Sequence, residues 1–227
     1  MAALKVAAFL CAAPLLAQSG EQLLANVDRL RHPWPAFAVD VEIAAGSRSL
    51  RWKVRARENG DARVDGVSEK EKGRAVLVLG DQMWLLLPNA KRPVAVSPAQ
   101  RLLGPAAGGD IARTRFAEDY AVKTLGIGTL DGQAVWLLDL EAKRKSLTHR
   151  SARLAVSKAD GRPLQADFFL ASGKAARTVK FAAPGMASGK KVLTVMTVFE
   201  PSGGSAQIRF SGWAPGAADP KAFDLPK

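Results

Sequence analysis

The chain has 227 residues, 48% of them hydrophobic, a formal net charge of +12 and one cysteine, Cys11. A single cysteine excludes an intrachain disulfide framework and a thiolate metal cluster, so the fold must rest on packing, which a domain of this size can manage. The positive surplus suits anionic lipid head groups or an acidic protein; the export signal at the N-terminus makes nucleic acid a poor partner.

Lys5 is the only charge before Glu21, and Val6 to Ala17 is an apolar run too short to cross a membrane. Ala17-Gln18-Ser19 places small residues at the two positions a signal peptidase reads. The pattern predicts a secretory signal over residues 1–19, cut after Ser19 or alternatively after Ala17, and a single mature domain over 20–227, exported to the periplasm with outer-membrane association as an option. Cys11 follows the bulky pair Phe9-Leu10, which does not fit a lipid-attachment site.

The first element expected in the mature chain is a helix. Ser19-Gly-Glu-Gln22 has capping-box spacing, Leu23, Leu24, Val27 and Leu30 make one apolar stripe, and His32-Pro33 ends it. Strands follow. Phe37, Val39, Val41 and Ile43 alternate with Ala38, Asp40 and Glu42, and Leu50, Trp52, Val54 and Ala56 alternate with Arg51, Lys53, Arg55 and Arg57. Asn59-Gly60, Gly80-Asp81, Asp131-Gly132, Asp160-Gly161, Ser172-Gly173, Ser188-Gly189 and Gly203-Gly204 are hairpin signals. Val192–Phe199 and Ala206–Trp213 are further strand candidates. The whole reads as a large antiparallel meander with one apolar face, which must be covered by a second sheet, by closure or by helices.

Between Gly80 and Tyr120 the rhythm breaks. The apolar run Met83–Leu87 stops at Pro88, and a basic connection and another apolar run follow. Ser97-Pro98 then opens a short helix that ends at Gly104-Pro105, and a less regular helix is expected from about Gly109 to Asp119, carrying Ile111 and Phe116. Helices inserted into a meander suit a lid over its apolar face.

Catalytic signals are sparse. His32 precedes a proline, and His149 sits in the basic segment Lys143–Arg150, which reads as an exposed loop. No metal-ligand spacing and no G-x-S-x-G context occurs, so no metal, cofactor or enzyme activity is expected, although a dispersed Ser-His-Asp site is recognised by geometry alone. Gly126-Ile-Gly128 reads as a strand running into a hairpin rather than a phosphate loop. The basic row Arg51, Lys53, Arg55 and Arg57 is the wet face of a strand, and its functional reading is docking to an acidic partner or a membrane surface.

Trp84, Leu87-Pro88, Arg92, Arg101-Leu102-Leu103-Gly104, Asp110, Phe116 and Glu118-Asp119 together resemble the LolA-like outer-membrane lipoprotein-sorting family. The resemblance implies a mainly β (α+β) fold, an unclosed antiparallel β-barrel or strongly curved sheet with helices forming a lid over its apolar concave face. It implies a carrier of a lipid or lipoprotein acyl chain that works with an inner-membrane transporter or an outer-membrane acceptor. The candidate cavity lining is Trp52, Val54, Trp84, Leu86, Leu102, Leu103, Ile111 and Phe116. A sensor or accessory module that binds a protein with the same fold is the rival reading, and a secreted hydrolase a third.

Overall fold

The computed structural model describes residues 18–97, 114–216 and 219–225. The signal expected over 1–19 therefore falls almost wholly outside the described residues. So do the helix expected from Ser97 to Gly104, most of the one expected from Gly109, and with them Leu102, Leu103 and Ile111.

Helix α1 spans Gly20–Arg31, and both halves of its capping box form between Ser19 and Gln22. Its stripe is buried, with Leu23 and Val27 fully enclosed. Six strands follow: β1 (Phe37–Ala45), β2 (Arg48–Ala56), β3 (Ala62–Gly66), β4 (Ala75–Leu79), β5 (Gln82–Leu86) and β6 (Val94–Ala95). A one-turn helix α2 (Phe116–Asp119) leads directly into β7 (Tyr120–Leu130). Then come β8 (Gln133–Ala142), β9 (Ser151–Ser157), β10 (Pro163–Phe169) and β11 (Ala175–Phe181). A small hairpin of β12 (Gly185–Ala187) and β13 (Lys190–Val192) precedes β14 (Val195–Phe199), β15 (Ser205–Pro215) and a 3-10 turn, Pro220–Phe223.

Thirteen strands form one antiparallel sheet in the order β6-β5-β4-β3-β2-β1-β15-β14-β11-β10-β9-β8-β7, with the β12–β13 hairpin apart. The sheet is not closed into a barrel. Its two edges are β6, which lies within the break in the sequence rhythm, and β7, which follows it, so the sheet is open at that interruption. The seven predicted hairpin signals all contain a residue with positive φ. At Asp131-Gly132 (φ 48° and 77°) and Ser188-Gly189 (φ 43° and 75°) both residues adopt it, as the tightest two-residue turns require.

The inward faces of β1, β2, β4, β8, β9, β11 and β14, with α1 and Phe116 over them, form one continuous core. A second, small cluster of Val135, Ala155 and Leu164 lies apart from it. Gly126 and Gly128 lie within β7, which runs into the Asp131-Gly132 turn as expected; a Cβ on Gly128 would come within 2.6 Å of Leu137 Cδ1.

Two expectations are corrected. The segment Lys143–Arg150 is not simply an exposed loop: Leu147 and His149 point into the core while Lys143 and Lys145 stay outside. The strand expected over Val192–Phe199 is interrupted at Leu193-Thr194, where the Leu193 amide turns aside to donate to the Leu30 carbonyl at the end of α1 (2.8 Å).

Candidate functional site

Phe116 is the centre of the covered concave face. It is fully buried, it stacks on Phe168 at 6.1 Å, and Tyr120 packs beside it at 6.1 Å. The Arg31 guanidinium lies 5.7 Å from its ring centroid. Asp28 of α1 accepts hydrogen bonds from the Phe116 and Ala117 amides, both 2.8 Å, and so fastens α2 to α1. Burial raises the Asp28 carboxyl to about 6, against the lowering effect of those two amides and of Arg31. Burial also lowers the Arg31 pKa, while Asp28 and Asp119 favour its charge.

Arg31 lines two small cavities on this face. One, about 40 Å³, lies against β1–β4 and β15 and is lined by Phe37, Val39, Val54, Val64, Val78 and Phe210 with Arg57 and Arg115 at its edge. The other, about 10 Å³, lies against β10, β11 and β14 and is lined by Phe168, Val179, Phe181 and Met196 with Arg177 and His149. An occupied ligand pocket holds roughly 300–1,000 Å³. Neither of these two cavities among the described residues admits a long apolar ligand unless the side chains that line it move apart.

The covering elements are tied to the sheet by polar contacts at the seam. Arg144 pairs with Asp119 (2.5 Å), Asp81 (3.4 Å) and Glu118 (3.7 Å), joining the β4–β5 turn to α2. Arg115 donates to the Glu58 carbonyl in the β2–β3 turn and pairs with Glu118 at 3.2 Å.

Of the predicted lining, Trp52, Val54 and Phe116 lie in the concave core, and Val54 borders the larger of the two cavities. Trp84 and Leu86 do not join them. Trp84 pairs with Leu77 and Leu86 with Ala75, whereas their neighbours Met83 and Leu85 face the core opposite Val78 and Val76. On β5 the core-facing residues are thus Met83 and Leu85, one position away from Trp84 and Leu86, and on a strand such a shift moves a side chain to the opposite face.

The basic row is largely engaged by the chain itself. Lys53 pairs with Asp40 (3.4 Å) and Arg55 with Asp65 (2.6 Å), while Arg57 stacks on Phe223 (3.8 Å) and donates to the Pro220 carbonyl (3.1 Å). Arg51 is exposed. A denser basic surface lies elsewhere. A cleft of about 580 Å³ between α1, the β9–β10 turn and the β12–β13 hairpin is lined by Arg29, Lys158, Arg162, Lys190 and Lys191, with Asp160 the one carboxylate among the described residues that line it. Arg162 pairs with Asp160 (3.1 Å), and Lys158 lies 4.6 Å from the Trp136 ring centroid. Sequence spacing could not assemble this cleft, because its cations come from three distant segments.

Neither histidine has the surroundings of a general base. Burial lowers both to about 3, and the charges acting on them are cationic: Arg31 and Arg115 on His32, Arg177 on His149. Among the described residues no group of three or more His, Cys, Asp or Glu side chains is placed to hold a metal ion.

Comparison with known proteins places this geometry. A LolA superfamily protein of Nitrosomonas europaea, NE2245, superposes with a TM-score of 0.81 at 27% identity, over 92% of this chain and 98% of that one. A domain from Vibrio parahaemolyticus, described as that of an outer membrane lipoprotein-sorting protein, gives 0.74 at 19% identity, over 89% and 95%. A DUF1329 family protein of Desulfovibrio piger gives 0.72 at 18%, over 90% and 95%. Comparison with curated proteins gave no match. A family model whose description reads "-like: Uncharacterized protein" matches residues 67–223, more than half of the chain. With residues 67–223 matched, the chain belongs to the family that this model describes, and the open curved sheet gives it the fold of the LolA superfamily protein of Nitrosomonas.

Proposed function

We propose that this protein is a periplasmic carrier that binds a lipid or lipoprotein acyl chain on the concave face of its sheet and delivers it toward the outer membrane. The observation that carries the reading is the continuous apolar core face beneath α1 and α2, in a sheet left unclosed between β6 and β7. The lipoprotein-sorting description of the Vibrio relative supports it. Each methylene transferred from water into such a site contributes about 0.8 kcal/mol, so a chain of about 14 to 16 carbons gains on the order of 10 kcal/mol before the costs of opening and ordering. No catalytic step enters this reading.

Native mass spectrometry of protein purified from the periplasm tests it. A copurified species of lipid mass, displaced by added palmitate, is expected. A clean apo mass together with no uptake of offered acyl chains refutes the carrier and leaves the protein-binding module. In this proposal, transient membrane contact belongs to the basic cleft rather than to the row from Arg51 to Arg57. Lys190→Glu with Lys191→Glu is expected to weaken sedimentation with phosphatidylglycerol vesicles, and unchanged sedimentation rejects that assignment.

A further inference from the structure

Arg177 is a cation on the oily side of a strand. In β11 the side chains of Arg177, Val179 and Phe181 face the core, and Arg177 stands opposite Phe168 in the register with β10. It is 3% exposed. Among the described residues its Nε and Nη1 find no hydrogen-bond acceptor. Its Nη2 comes no nearer than 3.9 Å to Glu200 Oε1, beyond hydrogen-bonding distance, and that carboxylate is 43% exposed. Among the described residues at this cavity, the other charged group is Arg31, which has Asp28 and Asp119 acting on it, and His149 is neutral at physiological pH.

Holding a guanidinium in an apolar enclosure with two nitrogens unsatisfied is unfavourable, and an apolar side chain of similar length would be far less so. The same group gives an anionic oxygen what it lacks inside a protein: charge-assisted donors in a low dielectric. The surrounding Phe168, Val179, Phe181 and Met196 match an alkyl chain leading away from that oxygen.

We infer that Arg177 is an anchor for the carboxylate of a free fatty acid whose chain runs over Phe168, Val179, Phe181 and Met196. The inference rests on the acyl-carrier reading and narrows it. Acyl groups on a lipoprotein are esters or amides and bring no anion to the cavity, whereas a free acid does. A carboxylate fits better than a phosphate, because a single guanidinium, partly offset by Glu200, faces a narrow space.

The test compares palmitate with hexadecanol, which share a sixteen-carbon chain and differ in the head group, by displacement of a fluorescent fatty-acid probe from the intact protein. The wild type is expected to prefer palmitate by about tenfold or more, the worth of one charge-assisted hydrogen bond. Arg177→Met is expected to lose that preference, keep hexadecanol affinity, and leave the ligand-free protein as stable or more so; Arg177→Lys is expected to retain part of the preference. Equal affinity of the wild type for both ligands overturns the anchor while the carrier reading stands, as does a preference that survives in Arg177→Met. The latter result would mean that another group, such as Arg31, supplies the preference. Failure of both ligands to bind the wild type removes the carrier reading and the anchor together. If Arg177→Met does not fold, Arg177→Lys and Arg177→Gln decide by the same ratio.

Discussion

Acidification pits three buried groups against one another. His32 and His149 have folded pKa values of about 3 against an ordinary 6.5, so the unfolded chain takes up their protons first. The stability they provide is present above about 6.5 and is lost as the pH falls toward 3. Asp28 works in the opposite sense: its folded value is raised from 3.8 to about 6, so the folded state takes up that proton first and gains stability as the pH falls through 6. Between about pH 7.5 and 5, linkage gives a loss of about 2 kcal/mol per histidine and a gain of about 1 kcal/mol from Asp28, a net loss of about 3 kcal/mol. His149→Gln should shrink that loss to about 1 kcal/mol, and Asp28→Asn should enlarge it to about 4 kcal/mol. Urea denaturation of the three proteins at both pH values measures it. A wild-type stability that does not change over this interval, or a His149→Gln slope equal to wild type, refutes the assignment of buried neutral histidines.

Other perturbations address the fold and its covering. Gly66→Ala would set a Cβ 2.1 Å from the Glu71 carbonyl oxygen, so denaturation should show a loss of about 2–3 kcal/mol, whereas Gly204→Ala, with nothing within 4 Å, should be near neutral. Arg144→Ala removes the tie between Asp81 and α2; it should cost about 1–3 kcal/mol and, on the proposed function, speed acyl uptake in stopped-flow fluorescence. A chain beginning at Gln18 should be about 1 kcal/mol more stable than one beginning at Gly20, because Ser19 caps α1. On the export proposed from the sequence, N-terminal sequencing of the mature protein is expected to start at Gly20 or at Gln18, and a start at Met1 would reject the signal.

The sheet was readable because its signals are local. Period-two alternation placed Phe37, Val39 and Val41 inside, and glycine turn pairs marked the hairpins. The break from Gly80 to Tyr120 was readable as an insertion suited to a lid, whereas the place of β6 and β7 at the open edges of the sheet is seen only in its topology. The lining was less readable. At β5 the run Met83-Trp84-Leu85-Leu86 is apolar on both faces, so alternation cannot fix its parity, and only the pairing with Val76 and Val78 decides it. Arg177 was within reach of the sequence, since Arg177, Val179 and Phe181 alternate with Thr178 and Lys180. Its enclosure, however, depends on Phe168 and Met196 from other strands. The basic cleft and the burial of His149 are tertiary facts, set by chain segments far apart in sequence.

Photo-crosslinking with a diazirine-bearing palmitate, mapped by peptide mass spectrometry, tests the central claim most directly. Labels on concave-face residues such as Val39, Val54, Phe168 and Val179 are predicted. Labels on the opposite face, at Trp84 or Leu86, or labelling no stronger than that of a denatured control, would contradict acyl binding beneath α1.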